Sequence, residues 1–206
     1  MSYPTAWLLH QKINGAMARQ DSTHRLSGVV QLDDAYLGGE RAGGKPGRGS
    51  EKIVPFVAAV SLNKHGNPMY LKLDLLRGFT LNSISKRAKA TLAPQTCVGS
   101  DGLVCLVAVT DAGCVHQPIV VSALKPRDLP QFKWVNKVLG NLKTTLAGAF
   151  HSLNYRKYAQ SYLAAFAYRF NRRFDLRGLV AHLIVDVARG KPARKSIIRT
   201  HTETGF

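Results

Sequence analysis

The sequence contains little cysteine and no long apolar run. Its three cysteines, Cys97, Cys105 and Cys114, form no CxxC pair and cannot all be paired with one another, which argues against a disulfide framework. Free buried thiols in a reducing cytoplasm are the simplest interpretation. No apolar run approaches the roughly 18 residues of a membrane span, and no secretory signal follows Met1. We therefore expect a cytoplasmic protein without a membrane partner.

Acidic residues are also scarce. The chain has 12 Asp and Glu against 29 Lys and Arg, which gives a formal net charge of +17. The excess is uneven, because the residues from Ser122 onward contain sixteen Lys and Arg but four acids. Such a positive field attracts polyanions, and nucleic acid is the first candidate because binding releases counterions from phosphates. Acidic membranes or ribosomal RNA would also match the charge, which indicates a class of partner and no reaction.

The chain does contain enough apolar residues for one substantial core, with 206 residues of which 45% are hydrophobic. Val29, Val30 and Leu32 form a short apolar run that predicts a buried strand and leads directly into Asp33 and Asp34. A carboxylate at the end of a buried strand needs a metal ion, a cation or hydrogen bonds to compensate its charge. On this stretch alone, the alternative is that both aspartates are solvated turn residues.

Hydrophobic periodicity predicts an α/β chain. The predicted strands are one that begins near Val29 and contains Asp33, and then Ile53–Leu62, Pro68–Leu75, Thr96–Gly99 and Val115–Ser122. The predicted helices are Thr5–Met17, Leu81–Leu92, Leu103–Ala112, Lys133–Phe150, one that buries Leu163, Phe166, Phe170 and Phe174, and Leu179–Ala188. The leading helix, Thr5–Met17, has no obvious partner.

Two basic segments are candidates for contact with a polyanion. The glycine-rich stretch Gly38–Lys52 is either a flexible hairpin loop or a basic loop that approaches phosphates. Its candidate phosphate-binding residues are Arg41, Lys45 and Arg48. On the helix with the phenylalanines, Arg169, Arg172 and Arg173 are predicted to project away from the buried face. Such a stripe is normally a solvated surface, but beside a polyanion site it would contact the phosphate backbone of a bound nucleic acid.

The order of the predicted elements is three strands, helix, strand, helix, strand, helix, which is the order of the ribonuclease H-like fold. In that fold the first and fourth strands are neighbours, so Asp33 and Asp101 would meet and could hold two divalent ions about 3.5 to 4 Å apart. A third ligand is expected on a following helix, where Asn136 flanks the buried face. Asp34 should point elsewhere, because successive strand residues face opposite sides.

Four segments resemble, in this order, motifs of the bacterial DDE-type insertion-sequence transposases: LDDAYLGG, SDG at Ser100–Gly102, FKWVNKVLGNLK with AGAFHSL, and YLAAFAYRFNRRFDL. The branch that the chain resembles has a zinc ribbon and a helix-turn-helix ahead of a ribonuclease H-like domain, with Asn as its third active-site residue. The resemblance covers nearly the whole chain, from Ser2 to Phe174. It implies a mixed sheet of five strands with packed helices, a leading helix and a helical carboxyl-terminal part.

The resemblance also implies roles for individual residues. The residues that match the family's catalytic set are Asp33, Asp101, Asn136 and Lys143, of which the first three would bind Mg²⁺ or Mn²⁺. Arg169 and Arg172 match two arginines of the terminal motif. The implied activity is hydrolysis of a DNA phosphodiester at a transposon end, followed by attack of the freed 3′-hydroxyl on target DNA. A protein of this kind is expected on the bacterial nucleoid, as a homo-oligomer when it is bound to DNA.

Two departures from the family's pattern affect these expectations. Ala165 stands where family members usually carry Glu, and no cysteine pair is available for a zinc ribbon. We therefore expect residues 1–24 to be a remnant of a helix-turn-helix, 25–176 a catalytic domain, and 177–206 a terminal helix with a basic tail. Such an amino-terminally truncated copy would not transpose alone. The alternatives are a catalytically inactive DNA-binding remnant and a basic RNA-binding module, of which the second leaves the spacing of the catalytic set unexplained.

Overall fold

The computed structural model of the protein describes residues 1–38, 53–119, 129–149, 154–191, 194–196 and 198. In chain order, the elements are α1 (Tyr3–Ser22), β1 (Val29–Leu37), β2 (Val54–Leu62), β3 (Pro68–Leu75), α2 (Leu81–Thr91), β4 (Cys97–Asp101), a 3₁₀ helix (Val104–Ala112), β5 (Val115–Ile119), a short 3₁₀ turn (Pro130–Phe132), α3 (Lys133–Ala149), α4 (Tyr155–Asn171) and α5 (Leu179–Ala188). No helix in these ranges is long and apolar enough to cross a bilayer.

The five strands form one mixed sheet in the order β3-β2-β1-β4-β5. The pairs β1–β2 and β2–β3 are antiparallel, whereas β1–β4 and β4–β5 are parallel. The first three strands form a meander, and β4 and β5 are added in parallel beside β1, with helical segments before each of them. This is the arrangement of the ribonuclease H-like fold. The predicted fold class is therefore confirmed.

The sheet separates two apolar cores, because successive residues of a strand face opposite sides. In β1, Ala35 and Leu37 join the core under α3 and α4, while Val30 and Leu32 join the core under α2 and the longer 3₁₀ helix. The predicted buried face of α3 is confirmed, and its members are Val135, Val138, Leu139, Leu142 and Leu146. The site thus sits on a strand that is covered on both faces.

The leading helix has a partner, contrary to the sequence expectation. Helix α1 packs against α4 and α5. Near its end, the carboxylate of Asp21 lies 3.3 Å from Lys72 Nζ on β3 and accepts a hydrogen bond of 3.0 Å from Asn171 Nδ2 at the end of α4. Polar residues in a helix of weak amphipathicity concealed this contact, because its partners are distant in sequence. The division of the chain after residue 24 stays a prediction.

The buried face of α4 also differs from the expected one. Phe174 is 79% exposed, and Phe166 and Phe170 are only partly buried. The helix ends at Asn171, whose side chain pairs with the backbone of Leu71 on β3, so the periodicity does not continue to residue 174. Leu163 is fully buried as predicted, and the other buried positions of the helix are Ala159, Ala164, Ala167 and Tyr168. Alanines on this face allow α4 to approach the sheet closely.

Candidate active site

The position of Asp33 is set by where β1 loses one of its two neighbours. Parallel pairing between β1 and β4 ends at Leu32 and Ser100, so Asp33 and Asp101 are the next residues in register. On its other side β1 continues to pair with β2, in which Ala58 lies opposite Asp33. Residues in register on parallel strands share a face of the sheet. The Cα–Cβ bonds of Asp33 and Asp101 therefore leave the same face.

The carboxylates of Asp33, Asp34 and Asp101 form a cluster. Each offers one oxygen, and these oxygens all lie within 4.8 Å of one another. All three residues are partly buried. Leu103 N donates a hydrogen bond of 3.3 Å to Asp101 Oδ1, so the turn after β4 helps to orient that carboxylate. The predicted approach of Asp33 to Asp101 is confirmed.

Asp34 was expected to point away from this cluster, and that expectation is wrong. Strand alternation fixes the face from which the Cα–Cβ bond leaves, and this was the basis of the expectation. Asp34, however, lies beyond the last β1–β4 pair, and among the described residues no strand pairs with β1 on that side at Asp34. A short side chain can therefore turn around the open flank of the strand, and its carboxylate reaches the other two.

The pKa of Asp33 is raised to about 7 in this environment. The largest cause is burial, which disfavours the charged form, and the negative charges of Asp34 and Asp101 add to it. A hydrogen bond from the backbone of Asp34 and the positive charge of Lys143 act in the opposite direction. Lys143 is thus close enough to stabilise the Asp33 carboxylate, although it lies 110 residues further along the chain.

Gln31 is a site-building residue that the sequence analysis missed. It lies on β1 two residues before Asp33, points to the same face and is 6% exposed. Its Oε1 accepts hydrogen bonds from the backbone N–H groups of Trp134, at 3.0 Å, and Val135, at 3.1 Å. These are donors of the first turn of α3, which have no partner within a helix. A polar residue inside the apolar run from Val29 to Leu32 was the available signal.

Asn136 lies in the same first turn of α3 and is partly exposed beside the buried Val135. The two hydrogen bonds to Gln31 therefore fix the start of α3 relative to β1. Helix α3 carries both Asn136 and Lys143, and β1 carries Asp33. The tertiary structure brings Lys143 into electrostatic contact with Asp33. The assignment of Asn136 as a metal ligand stays a prediction.

This cluster lies within a segment that matches a known protein family. The family model described as an ISXO2-like transposase domain matches residues 25–171. The chain belongs to the ISXO2-like transposase domain family. The resemblance to DDE-type insertion-sequence transposases is therefore confirmed. No curated protein sequence matches the chain significantly.

Among solved structures, the transposase domain is similar to two Mos1 complexes. One is the Mos1 strand transfer complex, with 14% identity and a TM-score of 0.36, over 89% of this chain and 62% of that one. The other is a pre-cleavage Mos1 transpososome, with 11% identity and a TM-score of 0.28, over 89% and 63% of the two chains. The match thus spans about three fifths of the length of each Mos1 chain.

Membership of a DDE-type transposase family implies the use of divalent metal ions, and the residues present fit such an ion. The donor set consists of carboxylate oxygens, which are the hard ligands that Mg²⁺ and Mn²⁺ take. One oxygen of each of the three carboxylates lies within 4.8 Å of the others, and the negative charges of Asp34 and Asp101 add to burial in raising the pKa of Asp33. A dication would relieve that repulsion, so the transposase domain has a chemically suitable cluster for one.

Behind the cluster, Ser100 and His116 tie the two parallel strands together. His116 Nε2 lies 2.8 Å from Ser100 Oγ, and the Ser100 hydroxyl also lies 2.9 Å from its acceptor, the carbonyl oxygen of Asp101. Ser100 is fully buried, and desolvation lowers the pKa of His116. This contact between the buried Ser100 and the partly buried His116 links β4 to β5.

Arg169, Arg172 and Arg173, at the end of α4 and just after it, were expected to project away from the buried face, but they do not form one solvated stripe. Arg169 is exposed, but Arg172 Nη2 lies 3.6 Å from Asp186 on α5, and its guanidinium stacks 3.6 Å from the Tyr168 ring centroid. Arg173 donates to the carbonyl groups of Pro68, Met69 and Phe170. The chain turns after Asn171, which directs these last two side chains back onto the protein. Their DNA-binding role, like that of Arg169, stays a prediction.

The other predicted phosphate-binding residues are Arg41, Lys45 and Arg48. They belong to the segment 39–52, which lies outside the described residues. Their role also stays a prediction.

Proposed function

We propose that this transposase domain cleaves and joins DNA strands by metal-assisted phosphodiester transfer, as part of an insertion-sequence transposition reaction. The observation that carries the proposal is the cluster of Asp33, Asp34 and Asp101, which lies at the end of the β1–β4 pairing inside a domain of transposase type. We propose Mg²⁺ or Mn²⁺ as the cofactor, and transposon ends and target DNA as the substrates.

In the proposed site, Asp33 and Asp101 would hold the ion. When bound, a divalent ion would supply Lewis-acid stabilisation of phosphate oxygens and would lower the pKa of a water nucleophile. The two aspartates come from adjacent, hydrogen-bonded strands of one sheet, so their carboxylates are held on rigid elements. Lys143 supplies a positive charge close to Asp33 and would help to neutralise the scissile phosphate. The chain would thus act mainly by positioning and electrostatics.

Two residues compete for the place of the third ligand. Asn136 takes that place by the family resemblance and lies in the first turn of α3, which Gln31 ties to β1. Asp34 takes it by proximity, since its carboxylate already belongs to the cluster. We propose that Asn136 completes the catalytic set and that Asp34 tunes the charge around it. Substitution of each by Ala, followed by titration with Mn²⁺, separates the two assignments.

DNA is the proposed partner because the net charge of +17 provides a field that attracts a polyanion. Exposed Arg169 is a candidate for backbone contacts that position the duplex without reading its sequence. We also propose that the domain works as a homo-oligomer when it is bound to DNA, because two transposon ends have to be joined to one target.

The test is a strand-cleavage assay on duplex DNA with Mg²⁺ or Mn²⁺, using the whole 206-residue chain. Asp33→Asn and Asp101→Asn should each lower the rate at least about 100-fold, because the interaction lost is worth several kcal/mol in the transition state. Asp111→Asn, at an exposed acid on the 3₁₀ helix, is the matched control and should cleave like the wild type.

Two results would contradict the proposal. One is cleavage that survives the loss of both Asp33 and Asp101, which would place the chemistry elsewhere. The other is salt-sensitive binding of DNA by a wild-type chain that cleaves nothing with either ion, which would identify an inactive DNA-binding remnant.

A further inference from the structure

A second candidate site lies where the first turns of α1 and α4 meet. A cavity of about 400 Å³ opens there to solvent. Its lining residues are Tyr3, Pro4, Trp7, Lys157, Tyr158 and Lys195. None of these six is acidic, and three are aromatic. We refer to this cavity as the aromatic–lysine pocket.

The aromatic rings of this pocket are arranged by packing between the two helices. Trp7 on α1 and Tyr158 on α4 make an edge-to-face contact, with ring centroids 5.9 Å apart and an interplanar angle of 75°. Lys157 Nζ lies 5.6 Å from the centroid of the Tyr158 ring. Tyr3 is different, because it is 81% exposed. The pocket therefore combines a fixed aromatic wall, an exposed aromatic ring and two cations.

The direction of α4 places this pocket towards the end of the sheet that carries the acidic cluster. Strands β1 and β3 run in the same direction, since both are antiparallel to β2. The end of α4 lies at the start of β3, where Asn171 pairs with Leu71 and Arg173 donates to Pro68. Helix α4 therefore runs opposite to β3, and its 17 residues span about 25 Å. Its first turn thus lies towards the end at which β3 and β4 finish.

The pocket chemistry matches an unpaired nucleotide better than a duplex. Proteins that bind single strands use aromatic faces, on which bases stack, together with cations that follow the phosphates. A base inside a duplex already has both of its faces stacked, so only its edges are available to a protein. A volume of about 400 Å³ is also within the range of small-ligand sites, which runs from about 300 to 1,000 Å³.

We propose that the aromatic–lysine pocket binds an unpaired nucleotide of a DNA strand, with its base stacked on Tyr3 and its phosphates paired with Lys157 and Lys195. The inference rests on the proposed function, in that DNA is the partner and strand ends arise during the reaction. The aromatic–lysine pocket would thus be a binding site separate from the acidic cluster. It would hold an unpaired DNA strand that leads away from that cluster.

The test measures binding of a short, fluorescein-labelled oligo-dT by fluorescence anisotropy, with EDTA present so that strand cleavage plays no part. Tyr3→Ala should weaken binding about fivefold or more, which corresponds to the loss of one base–aromatic stack. Lys157→Ala should reduce the slope of log affinity against log salt concentration by about 0.7, because one phosphate contact is lost. Blunt duplex DNA should bind both variants about as tightly as it binds the wild type.

The matched control for Tyr3→Ala is Phe174→Ala, since Phe174 is 79% exposed and lies outside the pocket. Lys64→Ala, at an exposed lysine of the β2–β3 turn, is the matched control for charge. Both controls should bind oligo-dT like the wild type. Circular dichroism and the unfolding midpoint verify that each variant is folded, which is expected because the substituted side chains are at least partly exposed.

Three results would overturn the proposal. They are unchanged oligo-dT binding by Tyr3→Ala, equal weakening by Phe174→Ala, and loss of duplex binding by Tyr3→Ala to the same extent as that of single strands. An oligo-rU arm tests the source of the strand, because an effect of Tyr3→Ala confined to RNA would overturn the assignment to DNA. A failure of these binding tests leaves the cleavage test of Asp33 and Asp101 unaffected, and the converse also holds.

Discussion

Replacement of Gln31 by Leu should loosen the helix that faces the acidic cluster. The side chain of Gln31 is 6% exposed, and its Oε1 accepts two backbone hydrogen bonds, at 3.0 Å from Trp134 N and at 3.1 Å from Val135 N. Leucine has nearly the same volume and fits the apolar surroundings, so cavity formation contributes little. The main change is that two donors at the start of α3 lose their acceptor.

The size of the effect follows from the cost of leaving these donors unsatisfied. A buried polar group without a partner costs about 1–3 kcal/mol. Two such groups, offset in part by the apolar gain of leucine, should lower the free energy of unfolding by about 2–4 kcal/mol. For a chain of 206 residues this corresponds to a fall in the unfolding midpoint of roughly 5–10 °C.

Chemical denaturation of the wild type and Gln31→Leu measures this difference, and amide hydrogen exchange locates it. Exchange should accelerate most in the first turn of α3. Gln31→Glu retains an acceptor and should keep more stability than Gln31→Leu, while its charge should raise the pKa of Asp33 further. Thr80→Ala is the control, since Thr80 caps α2 at an exposed position by accepting from Ser83 N at 3.2 Å.

The control variant should lose about 1 kcal/mol, as is typical of an exposed helix cap. A loss below about 0.5 kcal/mol in Gln31→Leu would refute the reasoning, because it would place the variant among ordinary surface substitutions. Faster exchange spread evenly over all helices would refute the claim that Gln31 acts on α3.

Two further predictions concern the charge of the cluster in metal-free protein. The pKa of Asp33 is about 7 in the folded chain against 3.8 in the unfolded one, so ionisation of Asp33 destabilises the fold progressively as pH rises from about 4 to 7. Asp33→Asn should therefore unfold like the wild type near pH 4 but be more stable at pH 8, by on the order of 2–4 kcal/mol in denaturation experiments, and equal stabilities at pH 8 would contradict this. Lys143→Met should raise the pKa of Asp33 further while Lys143→Arg should not, as measured by NMR titration of the carboxyl carbon. A pKa that stays the same in Lys143→Met would show that the lysine acts on another group.

Much of the fold was predictable because it depends on local pattern. The runs at Pro68–Leu75 and Leu179–Ala188 have the lengths of the observed elements, and the 3.6-residue period of α3 identified its buried face. The family motifs also indicated Asp33 and Asp101. Both aspartates follow short apolar runs, which is a second signal in a basic sequence. These features depend only on residues that are close together in the chain.

Other features of the site were decided by contacts that no local pattern encodes. Asp34 joins the cluster because the pairing between β1 and β4 ends one residue before Asp33, and a strand pattern does not show where its neighbour stops. Gln31 reaches α3 across more than 100 residues. Arg173 turns back onto β3 because α4 ends at Asn171.

The sequence by itself determined the strands, the helices, the positive field and the two aspartates of the proposed metal site. Only the tertiary structure decided which third carboxylate joins them, what anchors α3 and which arginines remain exposed. The physical reason is that periodicity records which side of an element is buried. Hydrogen bonds and charge interactions depend instead on the mutual positions of elements, which form only when the chain packs.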